Sequence, residues 1–323
     1  MRLPTITDVL NARRVLSAYL PATPMWSYPG LSAATGATTF VKHEHVQPTG
    51  AFKVRGGIVL LHGLTERERA AGILGYSTGN HAQSLAYAAR LFDAPCTIVM
   101  PANPNPVKAA AVRSLGATLV EYGENFDVAR EHADDLAKQS GALLVSSGDE
   151  PALIAGVGTI YLEIIDQEPE LDAILVPIGG GSGAAGACLV AAALAPGCRV
   201  IGVQSAASPA AHDSWQAGQG VRRPNKSTVE ALATGASFDM PQQILRQGLA
   251  DFLLVDDADV RRAQRLMLRE AHTLAEGGGA TALAGLLKYR DTFAGQRVAV
   301  VCTGGNANAN ELRAIAQGND SDA

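Results

Sequence analysis

The 323-residue chain has no excess of basic residues. Lysine and arginine total 26 against 31 aspartates and glutamates, a formal net charge of −5. Neither a nucleic-acid partner nor a hold on anionic membranes is expected from that balance. Cysteine is scarce. Cys96, Cys188, Cys198 and Cys302 include no Cys-x-x-Cys pair and fit no zinc-ligand spacing. Reduced, mostly buried thiols in a cytoplasmic protein are the plain expectation. Internal repeats, low-complexity blocks and long linkers are missing as well. Residues 1–11 carry Arg2 and Asp8 and no apolar run, so no secretory leader is expected. One charge-free stretch, Ala173 to Cys198, is long enough to cross a bilayer. Its centre reads Pro177-Ile178-Gly179-Gly180-Gly181-Ser182-Gly183, a backbone whose amides would be stranded in lipid. A buried strand, a glycine loop and a buried helix are expected there instead.

What is present is a globular α/β pattern. Hydrophobic residues make up 47%, which excludes wholesale disorder, and the length suggests about two domains. Strand-like runs at Thr38–Val41, Ile73–Tyr76, Cys96–Met100, Ala117–Tyr122, Leu143–Val145, Ala173–Ile178, Arg199–Gln204 and Arg297–Cys302 alternate with helical runs. The helical runs are Asn80–Phe92, Val107–Leu115, Phe126–Gln139, Ala152–Asp166 and Ser182–Ala195. This alternation predicts parallel, twisted sheets with helices on both faces. The apolar strands predict sheets buried on both sides. Residues 73–145 read as a self-contained smaller βαβ unit inserted in a larger domain. The expected division is a large domain of residues 1–46 and 146–323 and a small-domain region of residues 47–145.

Four segments could carry chemistry. In Pro48-Thr49-Gly50-Ala51-Phe52-Lys53, Thr49 can cap a helix starting near Ala51. Lys53 would then sit in the first turn, where the helix dipole disfavours a cation. Such a lysine either faces solvent or is kept neutral, as Schiff-base chemistry with an aldehyde requires. Ser77-Thr78-Gly79-Asn80-His81 lies between a strand and a helix, where backbone amides can hold a phosphate or a carboxylate. Ser77 and Thr78 as mere caps, with His81 a structural histidine, is the alternative. Gly179-Gly180-Gly181-Ser182-Gly183-Ala184-Ala185-Gly186 is a second amide cradle. It contains the dinucleotide fingerprint, which needs an acidic residue about 20 positions on. The next strand ends at neutral Gln204, so a mononucleotide-sized phosphate ligand is preferred to NAD. Thr303, at the end of the last strand, is placed to offer a neutral hydroxyl beyond the sheet. His43-Glu44-His45 puts two imidazoles on one strand face with no third ligand at usable spacing. It is read as structural, and no metal site is expected.

In this order the segments resemble the pyridoxal-phosphate-dependent fold type II (tryptophan synthase β-like) family, specifically its threonine/serine dehydratase and serine racemase branch. The carrying stretches are Lys42-x-Glu44-x-x-Gln47-x-Thr49-Gly50-Ala51-Phe52-Lys53-x-Arg55-Gly56, Ser77-Thr78-Gly79-Asn80-His81-Ala82-Gln83 and Pro177-x-Gly179-Gly180-Gly181-x-Gly183. Ala275-Glu276-Gly277-Gly278-Gly279-Ala280 and Thr303-Gly304-Gly305-Asn306 complete the set. The similarity runs from about residue 5 to residue 315, and the regulatory domain of the longer biosynthetic dehydratases is not expected within these residues.

The resemblance implies a two-domain pyridoxal 5'-phosphate enzyme. Lys53 would hold the cofactor aldehyde through its amine and act as the base. Phe52 would pack beside the ring, Asn80 would bond the ring oxygen, and Gly179, Gly180, Gly181, Ser182 and Gly183 would hold the phosphate. Thr303 would face the ring nitrogen. Ser77, Thr78, Gly79 and His81 would hold the substrate carboxylate, with Thr78 also a catalytic residue where racemases use serine. The implied reaction removes water and ammonia from a β-hydroxy-α-amino acid, L-threonine or L-serine first, leaving a 2-oxo acid. An amino-acid racemase, a dehydratase of a bulkier 3-hydroxy amino acid and a non-enzymatic cofactor carrier stand as alternatives. A β-replacement enzyme would be expected to carry threonine at position 81. A homodimer in the cytoplasm is expected.

The chain departs from the family pattern at four places. Gln204 stands where cation-binding relatives carry an acid. Ser146-Ser147-Gly148-Asp149 and Gly156-Val157-Gly158-Thr159 replace usual substrate-side stretches, and Asn125 replaces an arginine of some relatives. L-threonine therefore need not be the best substrate. A 3-hydroxyaspartate should be poor, and room gained at Gly148 and Val157 should favour a larger or more apolar β-substituent.

Overall fold

The computed structural model describes residues 2–77, 79–124 and 126–318. Its strands are β1 (Met25–Ser27), β2 (Thr38–His43), β3 (Ile73–Tyr76), β4 (Cys96–Met100), β5 (Thr118–Glu121), β6 (Leu143–Val145), β7 (Ala173–Pro177), β8 (Arg199–Ser205), β9 (Asp251–Val255) and β10 (Arg297–Cys302). The chain gathers into two compact units. One comprises Met1–Pro21 and Phe52–Val157, the other Ala22–Ala51 and Gly158–Ala323.

The first unit holds a four-stranded sheet in the order β5-β4-β3-β6, parallel throughout. Alternate side chains of a strand point to opposite faces, and here both faces are apolar. Ile73, Ile98 and Met100 join one core with Val54, Ile58 and Leu85. Leu74, Tyr76 and Val99 join a second core with Ala129 and Ala133. Helices Val54–Gly63 and Asn80–Leu91 thus supply one cover and helix Phe126–Ser140 the other. The ends of β3, β4 and β6 that lead into loops 77–79, 101–105 and 146–150 all lie at the carboxyl edge of this one sheet, the edge where ligands of parallel sheets bind.

The second unit holds six strands in the order β1-β2-β10-β7-β8-β9. Only β1, at one edge, is antiparallel to its neighbour. Helix Gly277–Lys288 is buried from Gly277 through Leu286. Gly285 permits its close approach to the sheet, because a Cβ there would stand 2.8 Å from Val203 Cγ2. Lys42 is fully buried in this unit. Its ammonium donates to Glu163 at 2.7 Å, to the Thr23 carbonyl at 2.6 Å and to Gln167 at 3.0 Å. The Thr23 hydroxyl in turn donates to Glu44 at 2.6 Å. A buried ammonium needs such a full set of acceptors, so the Lys42-x-Glu44 pair is scaffold.

The expected α/β class with parallel sheets is thus the observed one. The charge-free stretch divides into β7, a glycine loop and helix Ser182–Leu194, and no helix among the described residues is long and apolar enough to cross a membrane. The crossings between units, at Pro21/Ala22, Ala51/Phe52 and Val157/Gly158, differ from the boundaries at 46/47 and 145/146 read from the sequence. Strand–helix alternation cannot see that Leu16 and Leu20 pack into the same core as Val54 and Ile58, which places the N-terminal helix Ile6–Leu16 with the smaller unit.

Candidate active site

The candidate residues fall in both units. In the second, Gly50 turns the chain with φ of +68°. That left-handed conformation suits glycine, and a Cβ would stand only 2.5 Å from Asn306 Oδ1. Asn306 donates to the Thr49 carbonyl at 2.9 Å, Gly305 N donates to the Gly50 carbonyl at 2.9 Å, and Ala51 bridges Gly304. This corrects one expectation. The helix does not start near Ala51 and Thr49 does not cap it. The Thr49 hydroxyl donates to the Ala51 carbonyl at 3.3 Å, and the backbone of Ala51 is taken up by the bridge. The helix begins at Val54, with Lys53 as the residue that precedes its first turn.

In the first unit, the Ser84 hydroxyl donates to the Lys53 carbonyl at 2.6 Å, which fixes the backbone from which the lysine side chain departs. The Lys53 ammonium lies 5.1 Å from the centroid of the Phe52 ring. Loss of water around the amine pulls it from its ordinary 10.5 down to about 8, since burial disfavours the charged form. Desolvation, and not the helix dipole, moves this amine part of the way toward its neutral form.

Beyond β3, the Ser77 hydroxyl accepts from Gly79 N at 3.2 Å. Helix Asn80–Leu91 starts after Gly79, a residue with no side chain to cap it, and the first amides of a helix have no acceptor within the helix. Ser77 as a simple helix cap is therefore not what is found. Asn80 opens that helix. His81 follows, buried, with neither ring nitrogen in a well-formed hydrogen bond among the described residues. Burial first and the charge of Lys53 second push it down to about 3, with the Val145 backbone pulling weakly the other way. His81 is a neutral imidazole at any working pH. Thr78 and Asn125 lie outside the described residues.

The glycine loop of the second unit leaves no space for side chains. A Cβ on Gly179 would stand 2.1 Å from the Ala231 carbonyl oxygen, and one on Gly180 3.2 Å from the Phe238 ring. Gly181 has φ of +91°, and a Cβ there would stand 2.9 Å from Pro241. Helix Ser182–Leu194 opens at buried Ser182 and Gly183, again without a capping side chain. A bare backbone at a helix start with its dipole pointing at the loop is suited to a phosphate, so this cradle fits the expected group.

Thr303 follows β10 and is buried. A Cβ on Gly278 would lie 3.8 Å from its hydroxyl, and one on Gly279 2.3 Å from the Gly304 carbonyl. The backbone of Glu276 donates to that same carbonyl at 3.1 Å. The glycines of Glu276-Gly277-Gly278-Gly279 thus make room for the loop that presents Thr303, a supporting role the sequence pattern did not reveal.

Gln204 is fully buried, and its side-chain carbonyl accepts from His212 N at 3.0 Å, capping the helix Ala210–Ala217. His43 bonds the Tyr28 hydroxyl at 2.9 Å and packs against the rings of Trp26 and His45. These imidazoles belong to an aromatic cluster. Among the described residues, no group of three or more His, Cys, Asp or Glu side chains is gathered as for a metal. The thiols of Cys96 and Cys188 are pushed up to about 12 by burial, which keeps them unreactive.

The profile of the family described as "Pyridoxal-phosphate dependent enzyme" matches residues 16–304. An L-threo-3-hydroxyaspartate ammonia-lyase from a Pseudomonas species is 35% identical over 98% of this chain and 100% of its own. An L-threonine ammonia-lyase from Thermotoga maritima is 34% identical over 96% of this chain and 78% of its own. Among solved structures, maize serine racemase superposes with a TM-score of 0.92 at 27% identity, covering 97% of this chain and 96% of its own. With a bare glycine cradle, a lysine amine drawn toward neutrality and a family match across most of its length, this chain belongs to the pyridoxal-phosphate-dependent enzymes of fold type II.

Proposed function

We propose that the protein eliminates water from a β-hydroxy-α-amino acid, L-serine or L-threonine first, and releases a 2-oxo acid and ammonia. The observation that carries this reading is the half-buried Lys53 with its amine 5.1 Å from the centroid of the Phe52 ring, where loss of water draws it down to about 8, toward the form that serves as covalent anchor and general base. The cofactor, when bound, supplies an electron sink next to the substrate α-carbon. The Lys53 amine takes the α-proton, the β-hydroxyl takes up one proton and leaves as water, and the released enamine is hydrolysed by water in solution to the 2-oxo acid and ammonia. With the cofactor in place, the amides after Gly79 would orient the α-carboxylate, Asn80 would bond the ring oxygen, and neutral His81 would add no charge to the site. Residues 179–183 would hold the phosphate. The names of the Pseudomonas and Thermotoga relatives support this reaction class. The protein acts on small molecules as a cytoplasmic homodimer, without nucleic acid or membrane.

Thr303 sets the strength of the sink. A hydroxyl facing the ring nitrogen leaves that nitrogen unprotonated, whereas a carboxylate would hold a proton on it. Thr303→Asp should shift the cofactor absorption to longer wavelength and slow elimination at least about 10-fold. An unchanged spectrum with an unchanged rate would show that residue 303 does not face the nitrogen.

Substrate choice is tested by kcat/KM for L-serine, L-threonine, 3-hydroxyaspartate and 3-phenylserine under one set of conditions. Serine or threonine should exceed 3-hydroxyaspartate, because Asn125 offers no charge for a second carboxylate. Each additional buried methylene changes discrimination by about 1–3 kcal/mol. A first rank for 3-hydroxyaspartate would overturn this reading of the substrate side chain and leave the reaction class intact.

A further inference from the structure

We infer that His81 is a positioning residue for Lys53, its imidazole lone pair accepting an N–H of the ammonium that forms when Lys53 takes the α-proton. Both residues belong to the same compact unit. The Ser84 hydroxyl donates to the Lys53 carbonyl at 2.6 Å, and a Cβ on Gly57 would stand 2.5 Å from Ser84 Oγ. Helices Val54–Gly63 and Asn80–Leu91 therefore meet closely at Ser84. His81 stands three residues before Ser84 on the same helix, and residues three apart share a face. Helical side chains lean back toward the helix start. The ring thus lies about one turn from the point where the Lys53 backbone is held, and the charge of Lys53 reaches it.

The setting leaves this imidazole one task. It is only 4% exposed, and neither ring nitrogen has a well-formed hydrogen bond among the described residues. Such a group has given up water without full replacement, which is costly. A neutral imidazole carries one N–H and one lone pair. The Val145 backbone favours the ring N–H, and the lone pair is left for a donor. Burial first and the charge of Lys53 second hold the ring down to about 3, so it neither removes the proton from Lys53 nor gives one to the substrate. When Lys53 takes the α-proton, an ammonium with three N–H donors appears in a desolvated place and needs acceptors. Accepting one of them breaks no bond at His81 and leaves the proton on Lys53. The inference rests on the proposed reading of Lys53 as the general base.

The test compares wild-type holoenzyme with His81→Phe, which fills the space without a lone pair, and with His81→Gln and His81→Asn, whose amide oxygens are acceptors. His81→Phe should lower kcat for L-serine about 10- to 100-fold, with KM within twofold and cofactor content unchanged. The isotope effect on kcat with α-deuterated L-serine should grow, because proton removal becomes the slow step. One of the two amide variants should recover most of the loss. A second readout needs no turnover. In apoprotein carrying 15N-labelled histidine, the His81 signals should show one protonated and one bare nitrogen from pH 5 to 8, and the bare nitrogen should shift in Lys53→Met. A kcat within twofold of wild type in His81→Phe, a loss of cofactor that matches the loss of rate, or a His81 signal indifferent to Lys53→Met would each overturn the proposal. Failure of the wild-type enzyme to turn over any β-hydroxy amino acid would instead remove the reading of Lys53 as the base, on which the inference rests.

Discussion

Replacing Lys53 with alanine should abolish turnover, lowering kcat/KM for the best substrate at least about 10,000-fold, because the covalent anchor and the general base vanish together. The variant should fold. Ser84 bonds the backbone carbonyl of Lys53, not its side chain, so the bond that fixes the helix start survives the truncation. Its melting temperature should therefore stay within a few degrees of that of the wild-type apoprotein. Borohydride should fix cofactor to the peptide containing residue 53 in the wild type and to no peptide in the variant. Normal turnover by Lys53→Ala would show that another lysine does this work.

Gly179→Ala should be the most damaging single methyl in the glycine loop. The added carbon would stand 2.1 Å from the Ala231 carbonyl oxygen. A backbone atom cannot swing aside as a side-chain tip can, so either the loop or the 230–232 segment must move. Overpacking of this kind costs about 1–3 kcal/mol, and the displaced loop would lose its grip on the phosphate. The purified variant should carry little cofactor and melt several degrees lower. Gly197→Ala is the matched control, with nothing within 4 Å of the added carbon and an expected change within about 0.5 kcal/mol. Equal cofactor content in both variants would mean that residue 179 does not shape the phosphate cradle.

Most of the sheet framework was legible because its strands are short, apolar and separated by helical runs. β1 was missed for a physical reason. It has three residues, half-buried to exposed, and neither alternation nor an apolar run marks it. β9 offered a signal, Phe252-Leu253-Leu254-Val255, that the alternation pattern passed over. The glycine cradle was legible since a strand, three glycines and a helix leave few geometries. The start of the helix after Lys53 was not, because it depends on Ala51 bridging Gly304, some 250 residues away in the chain, and no local rule foresees such a partner.

The measurement that bears most directly on elimination is a product balance for the purified holoenzyme with L-serine. Ammonia, pyruvate and D-serine are quantified together over one time course. Elimination through Lys53 predicts pyruvate and ammonia in equal amounts, well in excess of D-serine, with Lys53→Ala producing none of the three. D-serine as the main product would make the enzyme a racemase, and no product at all with cofactor bound would contradict catalysis on this substrate class.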